Sequence, residues 1–212
     1  MNATVECQQC LLGLAAEGRC PFTSIRVRAG SLVQAQGVLP DRVAFVKDGL
    51  LTLSSVNTDG AERDFAIRGP GAAIGLEGVN DEVSSAEVHA LTDARLCVLS
   101  TPQFKAWLGP DRSPAKAALS LALAEGSRWR SDHDWRQGPC LERVAKLLLS
   151  CPEDGFKGLG VEQKQQMARL LGMRPETFSR CLKKLETRGA IGAKTLRVRD
   201  RGLLEAAANA PA

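Results

Sequence analysis

Long hydrophobic runs are missing from this 212-residue chain. No apolar stretch approaches the roughly 20 residues needed to cross a bilayer, so a membrane-spanning helix is not expected. The first residues also lack a basic stretch followed by an apolar core; no secretory signal is read there, and the cytoplasm is the expected compartment. Histidine is scarce, with only His89 and His133 present, which leaves few bases to activate a cysteine nucleophile. Cys7-x2-Cys10 is also not set in a βαβ pattern, so a thiol oxidoreductase or other cysteine-dependent enzyme is disfavoured and no catalytic residue is assigned. Positive charge is absent from one whole stretch, since no Lys or Arg occurs from Gly71 through Ala90.

What is present is ordinary in bulk. Hydrophobic content of 44% and charged content of 25% are those of a globular protein long enough for one large or two small domains. The net charge of +4 is unevenly spread: from Cys140 to the end there are 14 Lys and Arg against 8 Asp and Glu, whereas residues 1–139 hold 14 against 16. A local basic excess of this kind is what attraction to nucleic-acid phosphates requires. Seven cysteines are too many to ignore. An odd count in a reducing compartment argues against a disulfide framework and toward metal ligation or redox sensing.

The most informative stretch runs from Val161 to Gly189. Met167, Leu170 and Leu171 share one face of a first helix, and Gly172-Met173-Arg174 then break the pattern before Pro175, which suits the start of a second helix. In that second helix Phe178, Cys181, Leu182 and Leu185 form an apolar face, and the opposite face carries Glu176, Ser179, Arg180, Lys183 and Thr187. Two helices joined by a short glycine-containing turn, the second exposing hydrogen-bonding side chains, describe a helix-turn-helix reader of double-stranded DNA. Arg can donate twice to guanine O6 and N7, Glu can accept from cytosine N4, and Ser can bond a base or a phosphate.

Upstream, the pattern is one of short strands. Ile25–Arg28, Val43–Val46, Leu51–Val56, Arg63–Ile67, Ala86–Leu91 and Ala94–Leu99 are strand-like, with a hairpin turn at Asn57–Gly60, and together they suggest a small double-sheet roll. A helix follows from near Pro102, and a longer one starts at Asp111-Arg112-Ser113-Pro114. That longer helix carries a seam of Ala115, Leu119, Ala122, Gly126, Trp129 and His133. Gln137-Gly138-Pro139 reads as a hinge, and Leu141, Val144, Ala145 and Leu148 as the buried face of a supporting helix. Ile191–Arg199 suits a two-stranded wing in which Lys194 and Arg197 reach phosphates. Cys140, Cys151 and Cys181 fall on apolar helix faces and are assigned to packing.

The remaining cysteines, Cys7, Cys10 and Cys20, have the form C-x2-C-x9-C before Pro21-Phe22. Taken by itself this spacing serves a zinc site, an iron-sulfur cluster or plain buried thiols.

Glu176-Thr177-Phe178-Ser179-Arg180 resembles the E-x-x-S-R recognition-helix signature of FNR-type regulators in the CRP/FNR superfamily of bacterial transcription factors. The cysteine segment before a Pro-Phe, with Cys97 in Ala94–Leu99, is similar to the same family. The resemblance implies an α+β fold comprising a cyclic-nucleotide-binding-like β-roll, a long dimerisation helix and a C-terminal winged helix-turn-helix. It implies four parts: a cysteine-rich sensor segment at 1–24, the roll at 25–110, the dimerisation helix at 111–138 and the DNA-binding domain at 139–212. It further implies a homodimer in which Glu176, Ser179 and Arg180 read a TTGAT…ATCAA-like palindrome, RNA polymerase as a partner through the loop Thr58–Arg63, and Cys7, Cys10, Cys20 and Cys97 as ligands of an oxygen-, nitric-oxide- or redox-sensitive [4Fe-4S] cluster. Zinc, a thiol switch or haem are the alternatives to that cluster. Gly71–Gly78 and Glu77 stand where the family holds a cyclic nucleotide. A buried phosphate without a cation is unfavourable, so nucleotide binding is expected to be lost.

Overall fold

The computed structural model describes residues 20–57, 60, 62–108, 112–152, 156, 159–192 and 196–209, with the side chains of 62, 112–118, 120, 121 and 131 left out of the description. Two four-stranded antiparallel sheets face each other. One has the order β1 (Thr23–Val27), β8 (Ala94–Ser100), β3 (Arg42–Asp48), β6 (Ala73–Ile74); the other β2 (Leu32–Gln34), β7 (Glu87–Ala90), β4 (Leu51–Val56), β5 (Glu62–Arg68). Six helices follow: α1 (Thr101–Trp107), α2 (Arg112–Asp134), α3 (Cys140–Leu149), α4 (Val161–Leu170), α5 (Pro175–Thr187) and α6 (Arg201–Ala208). The double-sheet roll and the helical C-terminal half are the fold class expected. The short strands β2 and β6 carry too little apolar periodicity to be read in advance; helix α6, whose Leu204, Ala207 and Ala208 share one buried face, is an element added to those expected.

Side-chain alternation explains why the strands lie where they do. In β3, Ala44 and Val46 point between the sheets with Leu51, Leu53, Val88 and Leu96, while Val43 and Phe45 point outward against Phe104 of α1. A strand buried on both faces reads as a continuous apolar run, as Val43–Val46 does. Strand β4 differs: Leu51 and Leu53 enter the inter-sheet core, but Thr52 and Ser54 are buried polar residues on the other face. Their burial is explained by the C-terminal half, whose core cluster of Val144, Leu148, Met167, Phe178 and Leu185 also takes in Leu50, Ile67 and Leu91 of the roll. The two halves therefore share one apolar core.

Charge joins the roll to the long helix. Arg68 of β5 is 1% exposed; its Nε donates to Glu125 at 3.0 Å and its Nη1 to Asp132 at 2.6 Å. The guanidinium carbon lies 4.8 Å over the Trp129 ring, which also stacks on Phe65 at 5.5 Å, so α2 grips β5 by ion pairs and by π contacts together. Glu125 additionally accepts from the backbone N–H of Ala73 at 3.0 Å and from Arg128. Burial pushes the Asp132 carboxyl up, and the Arg68 guanidinium pulls it back. One turn later Arg136 donates to the Phe65 carbonyl, directly before the bend at Gly138, whose φ of +95° suits glycine.

Removing the cation from this group strands two carboxylates in a dry site. Arg68→Ala is expected to lower the unfolding free energy by about 3–5 kcal/mol. Urea denaturation of the purified variant measures this, and an unchanged midpoint would show that the buried pair contributes nothing.

Candidate nucleic-acid interface and thiol sites

The two helices of the reader are joined by a closed turn. Met173 N–H bonds Ala168 O at 3.0 Å and Gly172 N–H bonds Arg169 O at 2.8 Å, with Gly172 at φ +61°, the bond pair of a Schellman ending. The Leu171 carbonyl is taken by Arg143 Nη1 of α3 at 2.7 Å, so the supporting helix pins the turn. Helix α5 then starts at Pro175 without a side-chain N-cap. A cap is worth about 1 kcal/mol. Burying Phe178, Leu182 and Leu185 contributes about 1.5–3 kcal/mol each, so packing and not capping holds this helix.

With that face buried, Glu176, Ser179, Arg180, Lys183 and Thr187 are all exposed, on the side expected. Arg180 Nη2 donates to Thr177 Oγ1 at 3.3 Å, one turn back on the same helix. The expected wing is smaller than a two-stranded ribbon among the described residues. Within them it shows an antiparallel bridge, Ile191 to Val198, with the Gly192 N–H on the Arg197 carbonyl at 2.8 Å and Leu196 at φ +50°. Lys194 lies outside the described residues. The packing thiols are where periodicity put them: Cys181 is in the core, Cys140 and Cys151 pack against it, and burial pushes the Cys151 thiol up to about 12 and that of Cys181 upward too. Such thiols stay protonated.

Cys20 and Cys97, 77 positions apart in the sequence, lie against the same apolar cluster. Cys97 sits in β8 opposite Ser24 of β1 and Phe45 of β3. It and Cys20 are half-buried and pack against the same cluster, which includes Phe22, Phe45, Leu99 and Phe104. Cys7 and Cys10 lie outside the described residues, and among the described residues no group of three or more His, Cys, Asp or Glu is placed to hold a metal.

The glycine-containing stretch Gly71–Gly78 forms β6 and a tight 3-10 turn, Leu76–Asn80. Glu77 accepts from Gln34 Nε2 and Ser84 Oγ, both at 2.9 Å, so its carboxylate is already engaged within the chain. The cation just before this stretch, Arg68, is itself held by Glu125 and Asp132.

Sequence reasoning missed two groups of residues. The buried Arg68–Glu125–Asp132 set is one. The other crosses from α4 to the roll: Gln166 Nε2 donates to Thr52 Oγ1 at 3.0 Å and to Asp64 Oδ1 at 3.1 Å, and Arg169 Nε donates to Asp64 Oδ2 at 3.2 Å. Partners more than 100 positions apart leave no periodic signal. Among the described residues of the α2 seam, Leu119 (61% exposed), Ala122, Trp129 and His133 face solvent, and so does Leu123 (64%).

Residues 24–110 match the family described as cyclic nucleotide-binding domain, and residues 142–207 the Crp-like helix-turn-helix domain. A Thermus thermophilus protein named cyclic AMP receptor protein is 30% identical over 182 residues, 83% of each chain. Among solved structures, FixK2 from Bradyrhizobium japonicum covers 91% of this chain and 100% of its own, with a TM-score of 0.72 at 23% identity. A transcriptional regulator of the CRP/FNR family from Thermus thermophilus covers 89% and 99%, with a TM-score of 0.64 at 23% identity. At these identities the two structures speak for the fold.

Proposed function

We propose that this chain, which belongs to the CRP/FNR family of transcription regulators, acts as a homodimer on a palindromic DNA site and carries a thiolate-held sensor at the far end of its β-roll. The family is one of DNA-binding regulators and not of enzymes. The observation that carries the DNA half is the exposed row Glu176, Ser179 and Arg180 on a helix locked from behind by the Gly172 turn and Arg143. In a TTGAT…ATCAA-like site, Arg180 would pair with guanine, Glu176 with cytosine, and Ser179, Lys183 and Lys194 with neighbouring bases or phosphates. The exposed apolar side chains of α2, Leu119, Leu123 and Trp129, support a dimer formed along that helix. On this reading the chain divides into a sensor segment 1–24, a roll 25–110, a dimerisation helix 111–138 and a reader 139–212, and it works in the cytoplasm. The Thr58–Arg63 loop, of which residues 58, 59 and 61 lie outside the described residues, would face RNA polymerase.

The sensor reading rests on Cys20 and Cys97 packing on one aromatic cluster at the place where the chain arrives from Cys7 and Cys10. Two half-buried thiols beside the same apolar rings supply part of the donor chemistry of a [4Fe-4S] cluster, which requires four thiolates and a shell that limits water. When bound, such a cluster supplies sensitivity to oxygen, nitric oxide or redox state. Cys7, Cys10, Cys20 and Cys97 would be the residues that hold it. Zinc, a thiol switch or haem is the second reading, since two sulfurs also suit zinc. The name of the Thermus relative suggests cyclic AMP. Against this stand the cation-free stretch Gly71–Ala90 and the engagement of Glu77 by Gln34 and Ser84.

Arg180→Ala is expected to cost about 1–3 kcal/mol on a palindrome containing the guanine. Fluorescence anisotropy against a duplex lacking that guanine checks this, and equal affinities for the two duplexes would remove Arg180 from the base readers. Anaerobically purified protein is expected to be brown with a broad blue-region absorbance that Cys97→Ser abolishes. A colourless protein, or a sharp Soret band, would refute the cluster. Cyclic AMP at millimolar concentration is expected to leave the melting temperature unmoved, and a saturable rise would overturn the loss of nucleotide binding.

A further inference from the structure

Asp64 on β5 has its side chain 1% exposed. Its two oxygens are satisfied from the other half of the molecule, by Gln166 Nε2 and Arg169 Nε of α4, and Gln166 reaches Thr52 on the neighbouring strand β4 as well. A buried carboxylate is stable only with such partners. Gln166 and Arg169 are three residues apart and so share one face of α4, while Met167 and Leu170 enter the core beneath α5. Because α4 and α5 share that core and the closed Gly172 turn, whatever fixes α4 fixes α5. The same strand is held by α2 through Arg68 and Phe65, and by Arg136 in the turn after α2, on the other side of the Gln137–Pro139 bend. Thus β5 carries the contacts that set where the reader lies relative to the dimerisation helix, and in this arrangement the Glu176–Lys183 face is exposed.

We propose that Asp64 is a positioning residue for DNA binding: by holding Gln166 and Arg169 it fixes the rotation of the α4–α5 pair about the bend. The inference rests on the palindrome reading above. Two readers joined through α2 must meet successive major grooves about 34 Å apart, so a reader free to rotate loses palindrome affinity. A single reader on a single half-site needs no such alignment.

The test uses the full chain as wild type, Asp64→Asn and Arg169→Ala, titrated on a palindromic duplex and on a duplex bearing one half-site. Arg169 is 59% exposed, so its truncation leaves the core intact and serves as the variant that folds in any case. Both variants are expected to bind the palindrome about tenfold more weakly, the scale of a charge-assisted hydrogen bond discounted for exposure, with half-site binding unchanged. Amide exchange at α4 and at Gln137 and Gly138 is expected to rise, with β3 and β8 unaffected. Unchanged palindrome affinity overturns the proposal. An equal loss on both duplexes overturns it as well, since that is the signature of a direct phosphate contact or of unfolding. A wild-type protein that binds the palindrome no better than a scrambled duplex instead overturns the underlying DNA reading, which keeps the two failures apart.

Discussion

The guanidinium of Arg68 sits where water does not reach, between Glu125 and Asp132 and over the ring of Trp129. Three of these four groups belong to α2 and the cation to β5, so the contact cannot form unless the long helix lies against the roll in one register. Buried ion pairs add little net stability compared with apolar packing, because desolvation consumes most of the Coulombic gain. What such a pair does is penalise alternatives: sliding α2 by one turn leaves charges unpaired in a low-dielectric site. In this chain the register of α2 is tied in that way to a strand of the roll.

The same strand carries the tie to the reader. Arg68 and Phe65 face α2, while Asp64 faces α4, and Ile67 joins the apolar core shared by both halves. Apolar contact supplies attraction without direction, and the three hydrogen bonds made by Gln166 and Arg169 supply direction. At the opposite end of the roll, β8 brings Cys97 into the cluster that Cys20 also touches, and β8 pairs with both β1 and β3.

Much of the site was legible in the sequence. The apolar faces of α4 and α5, the glycine turn and the outward row at Glu176, Ser179 and Arg180 follow from a 3.6-residue period and local turn chemistry, both of which are short-range. Strands β4 and β8 lie where alternation and β-branched residues put them, and β3 reads as a run because both its faces are covered. The short strands β2 and β6 were not legible, since two or three residues hold no period. Lys194 falls outside the described residues and adds nothing to either side.

The sequence alone determined the helix-turn-helix and its outward face, because both are written in residues a few positions apart whose spacing matches a helix turn. Tertiary structure decided which polar residues are structural. Gln166 and Arg169 look like any solvated helix face until Asp64 and Thr52 arrive from over a hundred residues away, and Arg68 looks like a surface arginine until α2 covers it. It also decided that Cys20 and Cys97 pack against one apolar cluster. Burial and pairing across long sequence separations depend on how sheets and helices stack, and that stacking is governed by the summed apolar surface and not by any local pattern.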